Sequence, residues 1–224
     1  MKLQRLFSTS VWMLAVAGVG MSSAIAADTG TRFYMGGNIG QSKANIDTAG
    51  FSAAVLATGL VTTAATTSNK NDTGFKIFAG YRFHPNFAVE GGYFDLGKFG
   101  LATMTTGLDG TIGTNTGTVE NNAGLNLDLV GIIPINDQYS LFGRAGVQNS
   151  VTKVSFVVVG PGGPASFAYR ENNTDYKAGL GMQYDFNKNI GARLEWERYR
   201  VPNGIGIGEK ANVDLFSVGL LARF

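Results

Sequence analysis

GFKIFAGYRFHPNFAVEGGYFDLG, residues 74–97, reads as two alternating runs about a short turn at His84-Pro85-Asn86. In the first run Phe75, Ile77, Ala79, Tyr81 and Phe83 share one face, and Lys76, Phe78, Gly80 and Arg82 share the other. In the second, Phe87, Val89, Gly91 and Tyr93 alternate with Ala88, Glu90, Gly92 and Phe94. A period of two places successive side chains on opposite faces of a β-strand. One face is apolar and ends in aromatics; the other carries charge and glycine. In a sandwich the apolar face would point to a core. In a membrane barrel it points to lipid and the polar face points inward. The other strands decide between the two.

Working outward, six further segments follow the same rule. Arg32–Ser42 places Phe33, Met35 and Ile39 outward and Tyr34 and Asn38 inward. Ala123–Ile133 places Leu125, Leu127, Leu129 and Ile133 outward, with Asn126 and Asp128 inward. Tyr139–Gln148 sends Leu141, Ala145 and Val147 out and Ser140, Arg144 and Gln148 in. Asp175–Phe186 sends Tyr176, Leu180 and Met182 out and Lys177, Gln183 and Asp185 in. Ile190–Arg200 has Leu194 and Trp196 out and Arg193, Glu195 and Glu197 in. Asn212–Phe224 has Phe216, Val218, Leu220 and Phe224 out and Ser217 and Arg223 in. With the hairpin these make eight segments near the length of about 9–11 residues that a tilted membrane strand needs. Short turns at His84–Asn86, Pro134–Gln138 and Asn187–Asn189 alternate with longer loops at 43–73, 98–122, 149–174 and 201–211. The expectation is an all-β, eight-stranded, antiparallel up-and-down transmembrane barrel of the bacterial outer membrane, with both termini on the periplasmic, short-turn side.

The charges test the register. The outward charges, Asp95, Arg198 and Asp214, all fall at the long-loop ends of their strands. A slip of one residue would expose Arg144, Arg193 and Glu90 together in mid-strand, where lipid costs about 2–4 kcal/mol for an arginine or lysine. Outward aromatics gather near both strand ends, as interfacial girdles do.

Composition agrees with this reading. The chain has 224 residues, 32 of them glycine and none cysteine, with 15% charged residues and a mean hydropathy of +0.06. Past the N-terminus there is no run of about 18 apolar residues, which excludes membrane helices but not strands. Residues 1–26 have the layout of a secretory signal peptide: Lys2 and Arg5, an apolar stretch at 11–20, and Ala24-Ile25-Ala26 as the cleavage site, with Ala27 as an alternative end. The barrel domain is then 27–224. Removing Lys2 and Arg5 takes the balance from 18 basic against 16 acidic residues to 16 against 16, so nothing points to nucleic acid.

The loops divide into three kinds. Phe51–Val61 is apolar but too short to span, and is expected to pack over the barrel mouth, with contact to a partner as the alternative. Residues 98–122, rich in Gly, Thr and Asn, are expected to form a mobile loop. Val151–Val159 and Ala165–Arg170 flank Gly160-Pro161-Gly162-Gly163-Pro164 and are expected to continue two barrel strands above the membrane as a long hairpin.

These residues resemble the N-terminal transmembrane domain of the outer membrane protein A family. The resemblance rests on Phe33-Tyr34-Met35-Gly36-Gly37, Val89-Glu90-Gly91-Gly92-Tyr93, Arg193-Leu194-Glu195-Trp196 and the ending from Phe216 to Phe224. It implies a barrel filled by side chains, surrounded by outer-membrane lipid and lipopolysaccharide, and a terminal Phe224 read by the barrel-assembly machinery. The family's longer members carry a periplasmic peptidoglycan-binding domain, which is not expected here. The resemblance also implies an interior ion-pair network, with Glu90 and Arg193 at the positions of one pair. Val130 and Gln183 stand where a second lysine–glutamate pair would be, which argues against a gate that swaps partners. Arg144, Asp128 and Glu195 are candidates to complete the network.

Catalysis finds little support. His84, the single histidine, lies in a short turn with no serine–histidine–acid set in reach. Glu195 and Glu197 share one strand face, but Arg193 beside them indicates charge balance. No His/Cys cluster suggests a metal, Gly204–Gly208 lacks the context of a phosphate loop, and no cofactor is expected. The leading expectation is a non-enzymatic barrel that supports the envelope and offers its loops to a surface ligand. A narrow channel or conduit for small hydrophobic solutes, and an adhesin or phage receptor, are the alternatives.

Overall fold

The computed structural model describes residues 32–160, 163–201 and 211–224. The expected signal peptide and Gly204–Gly208 lie outside the described residues. In chain order the elements are β1 (Phe33–Ala44), α1 (Thr48–Ala57), β2 (Val61–Asn69), β3 (Asn71–His84), β4 (Phe87–Asp95), β5 (Phe99–Gly107), β6 (Ile112–Pro134), β7 (Tyr139–Gly160), β8 (Gly163–Asp185), β9 (Ile190–Val201) and β10 (Ala211–Arg223).

All pairings are antiparallel. Strands β1, β3, β4, β6, β7, β8, β9 and β10 pair in that order, and β10 returns to β1. This is the expected closed ring, and closure removes the unpaired edges that an open sheet would expose to lipid. The quoted hairpin pairs as read, Ile77 against Tyr93 and Gly80 against Glu90. Two short turns are built alike. Asn136 accepts hydrogen bonds from the backbone N–H groups of Gln138 and Tyr139, and Asn187 from those of Asn189 and Ile190. Each asparagine thus satisfies turn donors in place of backbone carbonyls.

The two faces are inverted relative to a water-soluble protein. Leu127 is 55% exposed, whereas Asp128 beside it is 1% exposed. Leu125, Leu129, Leu180, Leu194, Val218 and Leu220 also face outward and exposed, while Lys76, Glu90, Arg144, Lys177, Arg193, Glu195 and Glu197 are buried. So large an exposed apolar belt is stable only against lipid.

Beyond the ring the structure departs from expectation. Residues 98–122 are not a mobile loop. They form β5 and the first part of β6, joined by a turn at Leu108–Thr111 in which Asp109 binds Thr111. Strand β2 pairs with β5, and β5 with β6 from Ile112 to Val119. The expected β7–β8 extension is present, paired continuously up to Gly160 opposite Gly163. The result is a sheet in the order β2-β5-β6-β7-β8 that rises from one side of the barrel as a platform. The apolar stretch at 51–61 behaves differently from the expected mouth cover. Most of it lies in α1, which has no buried residue and packs against β2, with Ser52 donating to Thr66 at 2.7 Å. Its start is fixed by Asp47, which caps the helix by accepting from the Gly50 N–H at 2.9 Å.

Candidate functional site

The barrel interior is filled in three layers, and every strand that contributes to them gives the same order. Nearest the short turns, Tyr34, Phe78, Ala88, Val130, Ile132, Phe142 and Leu221 form an apolar cluster. Next comes a layer of charges. Beyond it a second apolar cluster includes Phe94, Leu96, Phe99, Val154, Tyr199 and Leu215. Along β4 the sequence is Ala88, Glu90, Phe94; along β7 it is Phe142, Arg144, Val154.

Glycines make the lower layer possible. A β-carbon on Gly36 would stand 2.6 Å from the Phe78 ring tip, and one on Gly181 would collide with the ring tip of Phe142. On Gly80 it would collide with the hydroxyl end of the Tyr34 ring. The glycines that share the polar face with charges are thus the seats of the interior aromatic rings.

The middle layer unites four cations, Lys76, Arg144, Lys177 and Arg193, with four carboxylates, Glu90, Asp128, Glu195 and Glu197. All eight are at least nine-tenths buried. Arg193 reaches Glu90 at 2.7 Å, and Tyr34 donates its hydroxyl to the same carboxylate at 2.7 Å. Arg144 lies at the centre, 2.8 Å from Glu90, 3.0 Å from Glu195, and 3.4 Å from both Asp128 and Glu197. Lys76 bridges Glu195 at 2.5 Å and Glu197 at 2.8 Å, while Lys177 bridges Asp128 at 2.9 Å and Glu197 at 2.8 Å. Removing this many charges from water is tolerable only because each is paired and the set is balanced.

Aromatic rings close on the charges from both sides. The Arg193 guanidinium centre is 4.9 Å from the ring centroids of Phe78 and Phe142 and 5.2 Å from that of Tyr34. On the far side Lys177 stands 4.8 Å from the Tyr199 ring. Each cation lies within the roughly 6 Å over which a ring face attracts it.

The structure brings together all five residues singled out from sequence: Glu90, Arg193, Arg144, Asp128 and Glu195. It adds Lys76, Lys177, Glu197 and Tyr34. Their inward phase was readable, but their partners were not. Val130 falls in the lower apolar layer. Gln183 accepts from Arg193 at 2.9 Å and donates to Asp185 at 3.0 Å, linking the network to the Asp185–Arg223 pair. Neither position carries a charge. Glu195 and Glu197 are each held by cations through both oxygens, so neither is available as a general base. His84 lies at the turn, accepting from the Asn86 N–H and packing on Phe87. Among the described residues no group of His, Cys, Asp and Glu is arranged to hold a metal ion.

Residues 12–224 match the model of the outer membrane protein β-barrel domain family. No curated protein matches the chain by sequence. Several solved structures are similar. The attachment invasion locus protein Ail of Yersinia pestis is 16% identical, with 86% of this chain and 99% of that chain covered and a TM-score of 0.40. The N-terminal β-barrel domain of Pseudomonas aeruginosa OprF is 12% identical, with 87% and 99% covered and a TM-score of 0.46. The outer membrane protease OmpT of Escherichia coli is 11% identical, with 91% and 100% covered and a TM-score of 0.46.

Proposed function

The chain belongs to the outer membrane protein β-barrel domain family, and from that premise we propose that it is a non-catalytic, closed barrel that supports the bacterial outer membrane and presents a β-sheet platform for surface interaction. The short turns and both termini face the periplasm, and the platform faces outward. Outer-membrane lipid and lipopolysaccharide surround the belt, and Phe224, whose N–H donates to Phe33 at 2.9 Å, is the signal for the assembly machinery.

The observation that carries the reading is the triple filling of the lumen. A conducting path would have to cross the charge layer and the apolar layers on both sides of it. Opening the middle layer means separating buried ions, at several kcal/mol each. Conductance of the mature chain refolded into a planar bilayer tests this, beside Glu90→Gln. Silence with verified insertion is expected from both proteins. Discrete openings that change in the variant would overturn the closed barrel and make Glu90–Arg193 a gate.

The adhesin or phage-receptor alternative follows from the platform, which holds Val157, Val158, Val159 and Phe167 exposed well beyond the ring. Replacing 153–170 by Asn-Gly should then abolish attachment of a cognate particle or surface while leaving barrel folding intact. Unchanged attachment would remove the platform from that role.

A further inference from the structure

At the short-turn end of the lumen, beneath the lower apolar layer, the inward charges are not balanced. The layer itself is closed: Ala88 is 0% exposed and Leu221 3%. Around and below it the strand faces carry Arg82 on β3, Arg223 on β10 and Asp185 on β8, with Arg32 just before β1. Exposure grows toward the end of the barrel. Arg223 is 9% exposed, Arg82 and Asp185 are half-buried and Arg32 is exposed. The arrangement is a cup with an apolar floor and an accessible charged rim.

Three adjacent strands bring the arginines together. Arg82 donates its backbone N–H to the Arg32 carbonyl at 2.8 Å, so the two residues are neighbours across β3 and β1. Arg223 is directly opposite Tyr34, two residues beyond Arg32. That diagonal sets β-carbons about 7–8 Å apart, within reach of long side chains. The Arg223 backbone is held from its other side, donating to the Asn189 carbonyl at 2.7 Å. The inward carboxylate at this end is Asp185. It accepts from Arg223 at 2.5 Å and from Gln183 at 3.0 Å, both on Oδ1. Among the described residues Arg82 and Arg32 have no ion-pair partner. Arg82 lies in the field of Arg223, which repels it, and of Asp185, which attracts it. Higher in the lumen four cations meet four carboxylates; here three guanidiniums face one carboxylate.

An anion between like charges reconciles them, and its chemistry follows from the donors. The excess is two positive side chains, and a phosphate group carries about 1.5–2 negative charges at pH 7. Guanidinium forks present paired N–H donors that match phosphate oxygens. Arg223 spends one nitrogen on Asp185 and keeps its other donors. We propose that the periplasmic end of the lumen is a shallow cup for one phosphate group, with Arg82 and Arg223 as the clamp and Arg32 at the rim. The phosphate is free in the periplasm or carried by a phospholipid headgroup of the inner leaflet. The proposal rests on the outer-membrane orientation only for the compartment that the cup faces, and it holds whether or not the lumen above conducts.

The test uses the mature chain refolded in octyl glucoside, a detergent without phosphate, at fixed ionic strength. Nitrogen-15 NMR follows the arginine Nε–Hε signals, with Arg82 identified by its loss in Arg82→Lys. Inorganic phosphate should shift Arg82 and Arg223 saturably, while Arg170, exposed on the platform, drifts without saturating. Arg82→Gln should weaken the binding read at Arg223 about tenfold. Arg82→Lys keeps the charge, loses the fork and should fall between. The wild-type titration decides alone if a variant fails to refold. A second arm adds phosphatidylglycerol to the micelles without inorganic phosphate, and saturable shifts in that arm alone assign the phosphate to a lipid headgroup. If neither source distinguishes Arg82 from Arg170, the arginines are solvated charges and the cup is refuted. Current through the wild-type barrel would overturn the closed lumen and leave this result untouched.

Discussion

Replacing Glu90 by leucine should destabilise the barrel severely, and replacing Arg193 as well should restore most of the loss. Glu90 accepts from Tyr34 and Arg193, both at 2.7 Å, and faces Arg144 at 2.8 Å. Without it the layer holds four cations against three carboxylates, and Arg193 loses its nearest counter-ion. An uncompensated buried charge of this kind costs about 3–5 kcal/mol. Arg193→Met in the same chain rebalances the layer at three against three. The methionine is left among Phe78, Phe142 and Tyr34, where a thioether packs well. Replacing a buried pair by apolar groups is neutral or stabilising by about 1–4 kcal/mol. The Tyr34 hydroxyl is still orphaned, at about 1–3 kcal/mol. The double variant should therefore lie close to wild type, and Tyr34→Phe on top should raise it further. Arg144 retains Glu195, Asp128 and Glu197 throughout. Urea unfolding in lipid vesicles measures all four proteins, with fluorescence from Trp196, the one tryptophan among the described residues. If the double variant is no more stable than Glu90→Leu alone, the layer is not a charge-balanced unit and the reasoning fails.

Gly80→Leu should lower stability by about 1–3 kcal/mol through overpacking, because its β-carbon would collide with the Tyr34 ring. Reduced refolding yield, rescued by Tyr34→Ala, would show that the ring is the obstacle; no rescue would show that it is not. Leu127→Arg, outward in mid-belt, should cost about 2–4 kcal/mol in vesicles, whereas Val151→Arg above the belt should cost about 0–1 kcal/mol. Equal costs would mean that the belt is misplaced. On the platform, hydrogen bonds from Lys153 and Ser155 hold the Glu120 carboxyl below the usual glutamate range. Its contribution is present above the ordinary glutamate value and is lost as pH falls through the depressed one. A carbon-13 titration of Glu120 should show the low midpoint, and Lys153→Met should raise it; an unmoved midpoint would exclude the contact in solution.

The eight ring strands were legible because lipid outside and charge inside make a two-sided signal. Arg144, Arg193 and Glu90 admit one phase only, and the observed ends differ from the expected ones by a residue or two where no platform follows. Above the membrane that signal is lost. Strand β5 alternates buried Phe99, Leu101, Thr103 and Thr105 with exposed Met104, so its phase is carried partly by threonines and contradicted by a methionine. The segment 98–122 reads as a loop for that reason. The charge layer was legible in membership more than in pairing. Lys76 is separated from Glu195 by 119 residues and Arg193 from Glu90 by 103. Such contacts are set by where the ring closes, and no local spacing announces them.

The loss of charge at Val130 and Gln183 acquires a different meaning once the layer is seen whole. From sequence it removes the alternate partner that a swapping gate requires. In the structure alternate partners are abundant: Arg144 touches four carboxylates, and Lys76 and Lys177 each touch two. A cation can therefore change partner without passing through an unpaired state, and the barrier within the layer is low compared with breaking an isolated pair. Closure must then depend on something else. It depends on series. Val130 belongs to the Tyr34–Phe78–Phe142 layer, and a charge there would have hydrated that layer as well. With valine in place, a rearranged charge layer still faces packed rings beneath it and the Phe94–Tyr199–Leu215 cluster above. Charge exchange and conduction are thereby separated. The network is free to adjust, and the apolar layers keep that adjustment from opening a path.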